Sequence, residues 1–181
     1  MNKKNLKLLK ENILNYIIPL EKDKINYYIF TNEELNLFYK ENYYINNMFV
    51  KGNNKYYNVP LGMHYLSLTL PSNMKVFICS LPNNLNKETI IGSIIFNDNY
   101  SLNDRNVFLI DTIEINYFYR GNGLLNLMYN EFVNRVNIDN DIMLTCLSQM
   151  GYAYEIDKKL ALVLRKNKID RNILFYDDIY I

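Results

Sequence analysis

A short segment with two glycines, Arg120 to Leu125, carries the residues best suited to bind an anion. It is Arg-Gly-Asn-Gly-Leu-Leu and follows an apolar, extended segment. Because Gly121 and Gly123 are one residue apart, the backbone can adopt conformations that a Cβ would forbid, and successive N–H groups can converge at the positive end of a following helix. Diphosphates bind at such points. The sequence predicts a diphosphate-binding turn; the alternative is a strand-to-helix turn that binds nothing.

Two carboxylates, Asp111 and Glu114, precede this turn on a predicted strand. Since side chains alternate along a strand, we expect them on opposite faces, so that only one can face a cleft. A carboxylate in that position could accept a proton through a water molecule, and partial burial would raise its pKa toward a useful value. The alternative for each residue is a solvated or loop-bonded carboxylate without a catalytic role.

Other candidates for proton transfer are less specific. The stretch from Gly151 to Tyr154 follows a predicted strand and could bring the Tyr154 hydroxyl near the same site, although the chain has 17 tyrosines. His64 is the single histidine. Histidine is the usual acid or base near neutral pH, but a lone histidine is more often structural.

The cysteine and histidine content argues against a metal site. Cys79 and Cys146, the two cysteines, both lie inside apolar runs, where a free thiol behaves as a small buried hydrophobe. Because the chain has only these two cysteines and one histidine, it has no cluster of cysteine and histidine ligands at the usual zinc spacing. We therefore predict no metal centre and inert thiols.

An amphipathic helix is predicted at the start of the chain. Leu6, Leu9, Ile13 and Ile17 recur at helical spacing, and Pro19 ends the pattern. We interpret residues 1–20 as an N-terminal extension whose apolar stripe packs on the domain's own core or on a second subunit, as in a homodimer. A helix lying on a membrane surface is the alternative.

The rest of the chain alternates between strand and helix patterns. A strand over Asn26–Phe30 runs into a capping box, Thr31 to Glu34. Further strands are predicted over Tyr65–Leu70, Val76–Ser80, Ile90–Phe96, Val107–Ile115, Ile142–Leu147 and Ile173–Ile181, with helices from Leu124 and over Asp157–Asn167. The polar connection Asn97–Asn106 predicts a hairpin. These elements predict an α+β class with antiparallel strands first and a β-α-β-α-β half afterwards.

Length and charge limit the possible functions. At 181 residues and 49% hydrophobic content, residues 1–181 are expected to form a single domain. The net charge is +1, from 20 basic and 19 acidic residues, so the composition lacks the excess of basic residues that is typical of nucleic-acid-binding proteins. No apolar run approaches the roughly 18 residues of a membrane span, and no secretory signal follows the basic N-terminus. We expect a cytoplasmic protein without integral membrane association.

Together these motifs resemble the GNAT family of acyl-coenzyme A-dependent N-acyltransferases. The likeness rests on Gly92-Ser-Ile-Ile-Phe96, the polar hairpin, Ile113-x-Ile115 and the turn at the start of a helix, and it covers about residues 26–181. Its most specific part is the Arg/Gln-x-x-Gly-x-Gly/Ala loop, matched from Arg120 onward. Leu125 departs from the final small position, where we expect altered packing around a surviving diphosphate site.

The resemblance implies a GNAT fold, a mostly antiparallel mixed sheet flanked by helices, and acetyl-CoA as co-substrate. The implied cofactor-binding residues are Ile113, Glu114, Ile115, Arg120, Gly121, Asn122, Gly123, Leu124 and Leu125. Backbone N–H groups of the turn would hold the diphosphate, and the strand edge would pair with the pantetheine amides. The implied reaction is direct attack by the amine of a small-molecule or peptide acceptor, with Asp111, Glu114 and Tyr154 as candidate catalytic residues.

The chain also departs from the family pattern near its end. Many GNAT enzymes carry a tyrosine in a segment that aligns with Lys158 to Arg165, followed by a Gly-Phe pair. Here Arg165 takes the place of the tyrosine, and Lys168 and Ile169 replace the pair. These departures support a second hypothesis, a non-catalytic GNAT-fold module that binds coenzyme A or a protein partner.

Overall fold

The computed structural model of the protein describes residues 18–41, 47–52, 55–60, 72–83, 87–115, 119–144 and 153–175. In chain order the elements are β1 (Asn26–Phe30), α1 (Asn32–Glu41), β2 (Asn47–Gly52), β3 (Lys55–Pro60), β4 (Lys75–Pro82), β5 (Glu88–Leu102), β6 (Arg105–Ile115), α2 (Leu124–Arg135), β7 (Ile142–Leu144), α3 (Ala153–Lys166) and β8 (Ile173–Phe175). A short 3₁₀ helix, Lys22–Lys24, precedes β1.

A mixed sheet of six strands organises these elements, in the order β1-β4-β5-β6-β7-β8. Strands β1, β4, β5 and β6 pair antiparallel, whereas β6, β7 and β8 pair parallel. Strands β2 and β3 form a separate antiparallel pair, which was not predicted from the sequence. The α+β class and the mostly antiparallel mixed sheet flanked by helices are thus confirmed.

The first strand-to-helix connection follows from local sequence. The Thr31 N–H donates to Glu34 Oε2 at 2.8 Å, and the Glu34 N–H donates to Thr31 Oγ1 at 3.4 Å. This reciprocal pair is a capping box, which satisfies two backbone donors at the start of α1. It holds Leu35 over the sheet, where that side chain is fully buried. The predicted capping box is confirmed.

The hairpin between β5 and β6 is longer and tighter than predicted. The polar residues 97–106 were expected to form a loop, but only Asn103 and Asp104 form the turn, and the strands extend to Leu102 and from Arg105. Both turn residues have positive φ, 46° and 61°, as the mirror-image hairpin turns require, and Asn and Asp tolerate that conformation. The antiparallel pairing itself is confirmed.

Helix α2 packs on one face of the sheet through aromatic contacts. The Phe132 ring packs edge-on against Phe77, Phe96 and Phe108, with centroids 5.5, 5.1 and 5.9 Å away. The buried residues of α2 are Leu124, Met128, Tyr129, Phe132 and Val133. From the spacing of apolar residues, the sequence predicts a buried stripe of Leu125, Met128, Phe132 and Val136 for this helix. Met128 and Phe132 are buried as predicted, whereas Leu125 and Val136 are half-buried at the margin of the contact. Helix α3 joins this layer, since Leu160, Val163 and Leu164 belong to the same buried cluster.

Helix α1 covers the opposite face. Leu35 packs there in a second buried cluster with Val76, Ile78 and Ile95. Cys79, on the α2 side, is fully buried, and burial raises the pKa of its thiol well above the ordinary value, so the thiol stays protonated. This confirms the expectation that Cys79 is a buried core thiol.

Several sequence expectations fall outside the described residues: the N-terminal helix up to residue 17, the strand Tyr65–Leu70, His64, Cys146, and the ends of the predicted strands beyond Leu144 and Phe175. The predicted helix Asp157–Asn167 begins earlier, at Ala153. Within the described ranges, no helix combines the length and the apolar character that a membrane crossing needs.

The close approach of α2 to the sheet predicts the effect of Gly92→Ala. A Cβ at Gly92 would lie 2.5 Å from Met128 Sδ, 3.1 Å from Met128 Cε and 3.2 Å from the Glu114 carbonyl oxygen. Because these atoms must shift, we expect the free energy of unfolding to fall by about 1–3 kcal/mol. Urea denaturation would measure it, and Met128→Ala in the same background should reduce the additional cost of the Cβ. A Gly92→Ala variant as stable as wild type would contradict this packing.

Candidate functional site

The turn between β6 and α2 has the backbone geometry that its glycines predicted. Gly121 and Gly123 have φ of 80° and 76°, in the left-handed region, and Gly123 is the N-cap of α2. A Cβ at either position would meet nothing within 4 Å. The glycines are therefore required by backbone conformation and not by crowding, and open space lies in front of the turn.

Hydrogen bonds fix the turn from both sides. Arg120 Nε donates to the Ile115 carbonyl at 2.9 Å, so the exposed arginine folds back onto the end of β6. Asn122 Nδ2 donates to the Arg120 carbonyl at 3.4 Å. The Leu127 N–H donates to the Gly123 carbonyl, which makes the N–H groups of residues 124–126 the first-turn donors of α2. Such donors, at the positive end of a helix, suit a phosphate.

Tyr119 attaches the beginning of the described chain to this turn. Its buried hydroxyl donates to the Ile18 carbonyl at 2.9 Å and accepts from the Ile18 N–H at 3.2 Å. Burial raises the pKa of Tyr119, so the hydroxyl stays protonated and keeps both bonds. No local sequence pattern predicts this contact, because the partners are 101 residues apart.

The carboxylates on β6 do not follow simple alternation. Ile95 pairs with Thr112, but Phe96 pairs with Ile110, so Asp111 is an extra residue at a β-bulge. Ile110 before the bulge lies in, and Ile113 after it packs against, the buried cluster on the α2 side of the sheet, hereafter the α2-side cluster, which includes Phe77, Phe96, Phe108 and Phe132.

The bulge overturns the expectation that the two carboxylates lie on opposite faces. Alternation counted from Ile110 and from Ile113 puts Asp111, Thr112 and Glu114 all on the α1 side. The hydrogen bond from Thr112 Oγ1 to Asp111 Oδ2, at 3.0 Å, agrees with neighbouring residues sharing a face.

A buried serine lies beside Glu114. Ser93 is directly opposite Glu114 in the β5–β6 register, so the two residues share a face of the sheet. The Ser93 hydroxyl is fully buried and has no hydrogen-bond partner in the part of the chain that the structure describes. In the sequence, Ser93 lies inside an apolar strand, and a serine at such a position is the signal that could have indicated it.

A second polar cluster lies at one end of the sheet. Glu88 accepts from Ser80 Oγ at 2.6 Å and from Asn26 Nδ2 at 2.9 Å. Burial raises the pKa of Tyr28, and the charge of Glu88 and a hydrogen bond to it add to the effect. These bonds join β1, β4 and β5. This cluster could not be predicted from the sequence, because its members come from three strands.

The remaining candidates are dispersed or outside the described residues. Tyr154 is the second residue of α3, not in a loop before it, and only its backbone is described. Arg165 is exposed near the other end of α3. The structure therefore places Asp111 and Glu114 together, on the strand that leads into the turn, and brings no described group of three or more potential metal ligands together.

The pair Lys168–Ile169, which replaces Gly-Phe, ends α3. The Lys168 N–H donates to the Arg165 carbonyl at 3.0 Å, and the Ile169 N–H donates to the Leu164 carbonyl at 2.9 Å. This is a Schellman motif, in which Lys168 holds the left-handed position, with φ of 60°. Ile169 packs against the α2-side cluster. In this chain the pair thus has a structural role at the helix end.

An open groove of about 400 Å³ runs between α2 and α3. Its lining residues are Asn126, Asn130, Lys158, Lys159, Leu162, Val163 and Lys166. Asn126 is in the first turn of α2, three residues after Gly123. The groove therefore begins next to the glycine turn.

No model of a known protein family matches the chain, and no curated protein does either. Among solved structures, an aminoglycoside acetyltransferase from an uncultured soil metagenomic sample, in complex with sisomicin, is similar at 13% identity and a TM-score of 0.44, over 76% of this chain and 88% of that one. An integron cassette protein from V. cholerae gives 15% identity and a TM-score of 0.45, over 76% and 84%.

A third similar structure is the ribosomal-protein-alanine N-acetyltransferase from Brucella melitensis biovar Abortus 2308. It has 11% identity and a TM-score of 0.34, over 83% of this chain and 79% of that one. At such TM-scores, structural similarity does not assign a function. A functional proposal has to rest on the residues of the turn and of the strand before it.

The left-handed lysine at the end of α3 predicts a stabilising substitution. A non-glycine residue in this conformation costs about 1–2 kcal/mol, partly offset by the larger entropy that glycine loses on folding. We expect Lys168→Gly to raise the free energy of unfolding by about 0.5–1 kcal/mol, measured by urea denaturation. Arg165→Gly, an exposed control inside the helix, should lower it by about 1 kcal/mol. Equal destabilisation by both would contradict the proposed helix end.

Proposed function

We propose that this protein is an N-acetyltransferase that transfers an acetyl group from acetyl-CoA to an amine of a small-molecule or peptide acceptor. The observation that carries the proposal is the turn of Gly121 and Gly123, both with positive φ, at the N-terminus of α2 and directly after β6. A Cβ at either glycine would meet open space, and first-turn N–H groups at the start of a helix suit a diphosphate.

In this proposal the backbone from Gly121 to Leu125 binds the diphosphate. Arg120 keeps the turn closed through its bond to the Ile115 carbonyl, and its charge favours the anion. Leu125 anchors the start of α2 to the sheet, since its side chain packs against the α2-side cluster. The pantetheine arm would lie along residues 113–115 of β6, which directs the thioester toward the bulge at Asp111.

The carboxylates of β6 are the proposed bases. The acceptor nitrogen attacks the acetyl carbon, the C–S bond breaks, and the nitrogen loses a proton while the thiolate gains one. Asp111 or Glu114 would take the proton from the amine, directly or through water. Because both lie on the α1 side of the bulge, the acceptor would approach from that side. We propose the Tyr154 hydroxyl as the proton donor to the thiolate.

Binding of the co-substrate is tested with Gly123→Trp. A side chain here both strains the left-handed backbone and fills the space in front of the turn, so we expect the affinity for acetyl-CoA to fall at least about tenfold, measured by isothermal titration. Asn134→Trp, exposed near the other end of α2, is the matched control and should bind as wild type does. No binding at millimolar acetyl-CoA, or unchanged binding in Gly123→Trp, would contradict the proposal.

A second candidate is a non-catalytic module that binds coenzyme A or a protein partner. It is favoured by Arg165, which is exposed where the resemblance aligns a tyrosine, and by the structural role of Lys168 at the end of α3. Such a module would bind acetyl-CoA without turnover.

Thiol release distinguishes the two candidates. For the enzyme we expect amine-dependent release of coenzyme A with at least one member of a panel of simple amines, polyamines, aminoglycosides and peptide N-termini. Glu114→Gln or Asp111→Asn should lower that rate by about 10²–10⁴-fold while acetyl-CoA still binds, because a general base contributes that much. Binding without release across the panel would favour the non-catalytic module.

A further inference from the structure

The hydroxyl of Ser93 is buried in the sheet without a bond that would offset its burial. The side chain is 0% exposed, and its Oγ has no hydrogen-bond partner among the described residues. Because burying a hydroxyl without a partner costs free energy, native proteins normally pair such groups. The Ser93 proton is therefore available for a bond that forms during the reaction.

The neighbours of Ser93 in the sheet narrow the choice of its partner. Across the strands, Ser93 lies opposite Ile78 on β4 and Glu114 on β6. Two residues further along β5, on the same face, is Ile95, which is buried with Ile78 in the cluster on the α1 side. Among these three described neighbours, only Glu114 is polar, and it is half-buried.

A second serine–glutamate pair in the same sheet shows that such a bond is within reach. Ser80, also fully buried, donates from Oγ to Glu88 Oε2 at 2.6 Å. Ser80 pairs with Ile90 in the β4–β5 register, so Glu88 is its diagonal neighbour. Diagonal neighbours are about 7–8 Å apart, whereas directly opposite residues have Cβ atoms about 4.5–5.5 Å apart. Rotation of the Glu114 side chain is therefore sufficient to bring its carboxylate to the Ser93 hydroxyl.

We propose that Ser93 is a positioning residue for the base Glu114. Its hydroxyl donates to one carboxylate oxygen, and the other oxygen takes the proton from the acceptor nitrogen; Ser93 keeps its own proton. A hydrogen bond to a charged carboxylate is about twice as strong as one between neutral groups. Asp111 already accepts such a bond from Thr112 Oγ1, at 3.0 Å. The inference rests on the proposed function and, within it, assigns the proton transfer to Glu114.

The test separates activity from stability in the full chain, with the amine of the panel above that gives the fastest release of coenzyme A. Ser93→Ala removes a hydroxyl without a described partner, so the melting temperature should not fall. We expect kcat to fall about 10- to 100-fold, the effect of one hydrogen bond to a charged group, at an unchanged KM for acetyl-CoA.

Ser80→Ala is the matched control, because Ser80 is equally buried but its hydroxyl already has a carboxylate partner. This variant should lower the melting temperature and leave the kcat of the folded protein unchanged.

Two further comparisons identify the partner of Ser93. Ser93→Thr keeps the hydroxyl and should retain most of the activity, whereas Ser93→Cys keeps the size, is a weak donor and should behave like Ser93→Ala. The cysteine variant also carries the test if the alanine variant does not fold. In a Glu114→Gln background Ser93→Ala should lower kcat no further, but in an Asp111→Asn background it should have its full effect.

The outcomes separate this inference from the function on which it rests. Unchanged kcat in Ser93→Ala, or its full effect in the Glu114→Gln background, overturns the role of Ser93 and leaves the proposed function. The same holds if Ser93→Ala and Ser80→Ala lower kcat and melting temperature alike, because the effect is then one of folding. Absence of amine-dependent release by wild type overturns both.

Discussion

The packing of α2 on the sheet is the constraint on which the rest of the site depends. Phe132 is surrounded by the rings of Phe77, Phe96 and Phe108, and Gly92 lets Met128 come close to β5. These contacts fix the helix axis, and the helix axis fixes where its first N–H groups point. The turn that we propose to bind the diphosphate is thus positioned by a buried aromatic cluster on the sheet, in addition to the hydrogen bonds of Arg120 and Asn122 within the turn.

The bulge at Asp111 has a comparable influence on the other half of the site. One extra residue in β6 restores the apolar alternation for Ile113 and turns both carboxylates to the α1 side. Across the strand pair, a buried Ser93 hydroxyl lies opposite Glu114. The α2 side of the sheet therefore carries the turn whose N–H groups suit a phosphate, and the α1 side carries the carboxylates suited to proton transfer. Strand β6 connects the two, because it bears the carboxylates and leads into the turn.

Features decided by near neighbours in the chain could be predicted from the sequence. The capping box at Thr31, the glycine turn and the start of α2 at Leu124 all depend on residues within one or two turns of each other. Features decided by pairing could not. The bulge at Asp111 exists only in its register with β5, and the lysine groove exists only because α3 packs beside α2. The family motif pointed to the turn but not to the structural role of Lys168.

The two hydrogen bonds between Tyr119 and Ile18 connect the ends of a long stretch of chain. Local opening of the segment before β1 must break them, so it also releases the residue that leads into the turn. Thermodynamic linkage then requires the reverse: a ligand that binds only the closed turn lowers the population in which the segment is open. A ligand bound to the turn would therefore increase the hydrogen-exchange protection of the Ile18 amide, although Ile18 is far from the turn in sequence.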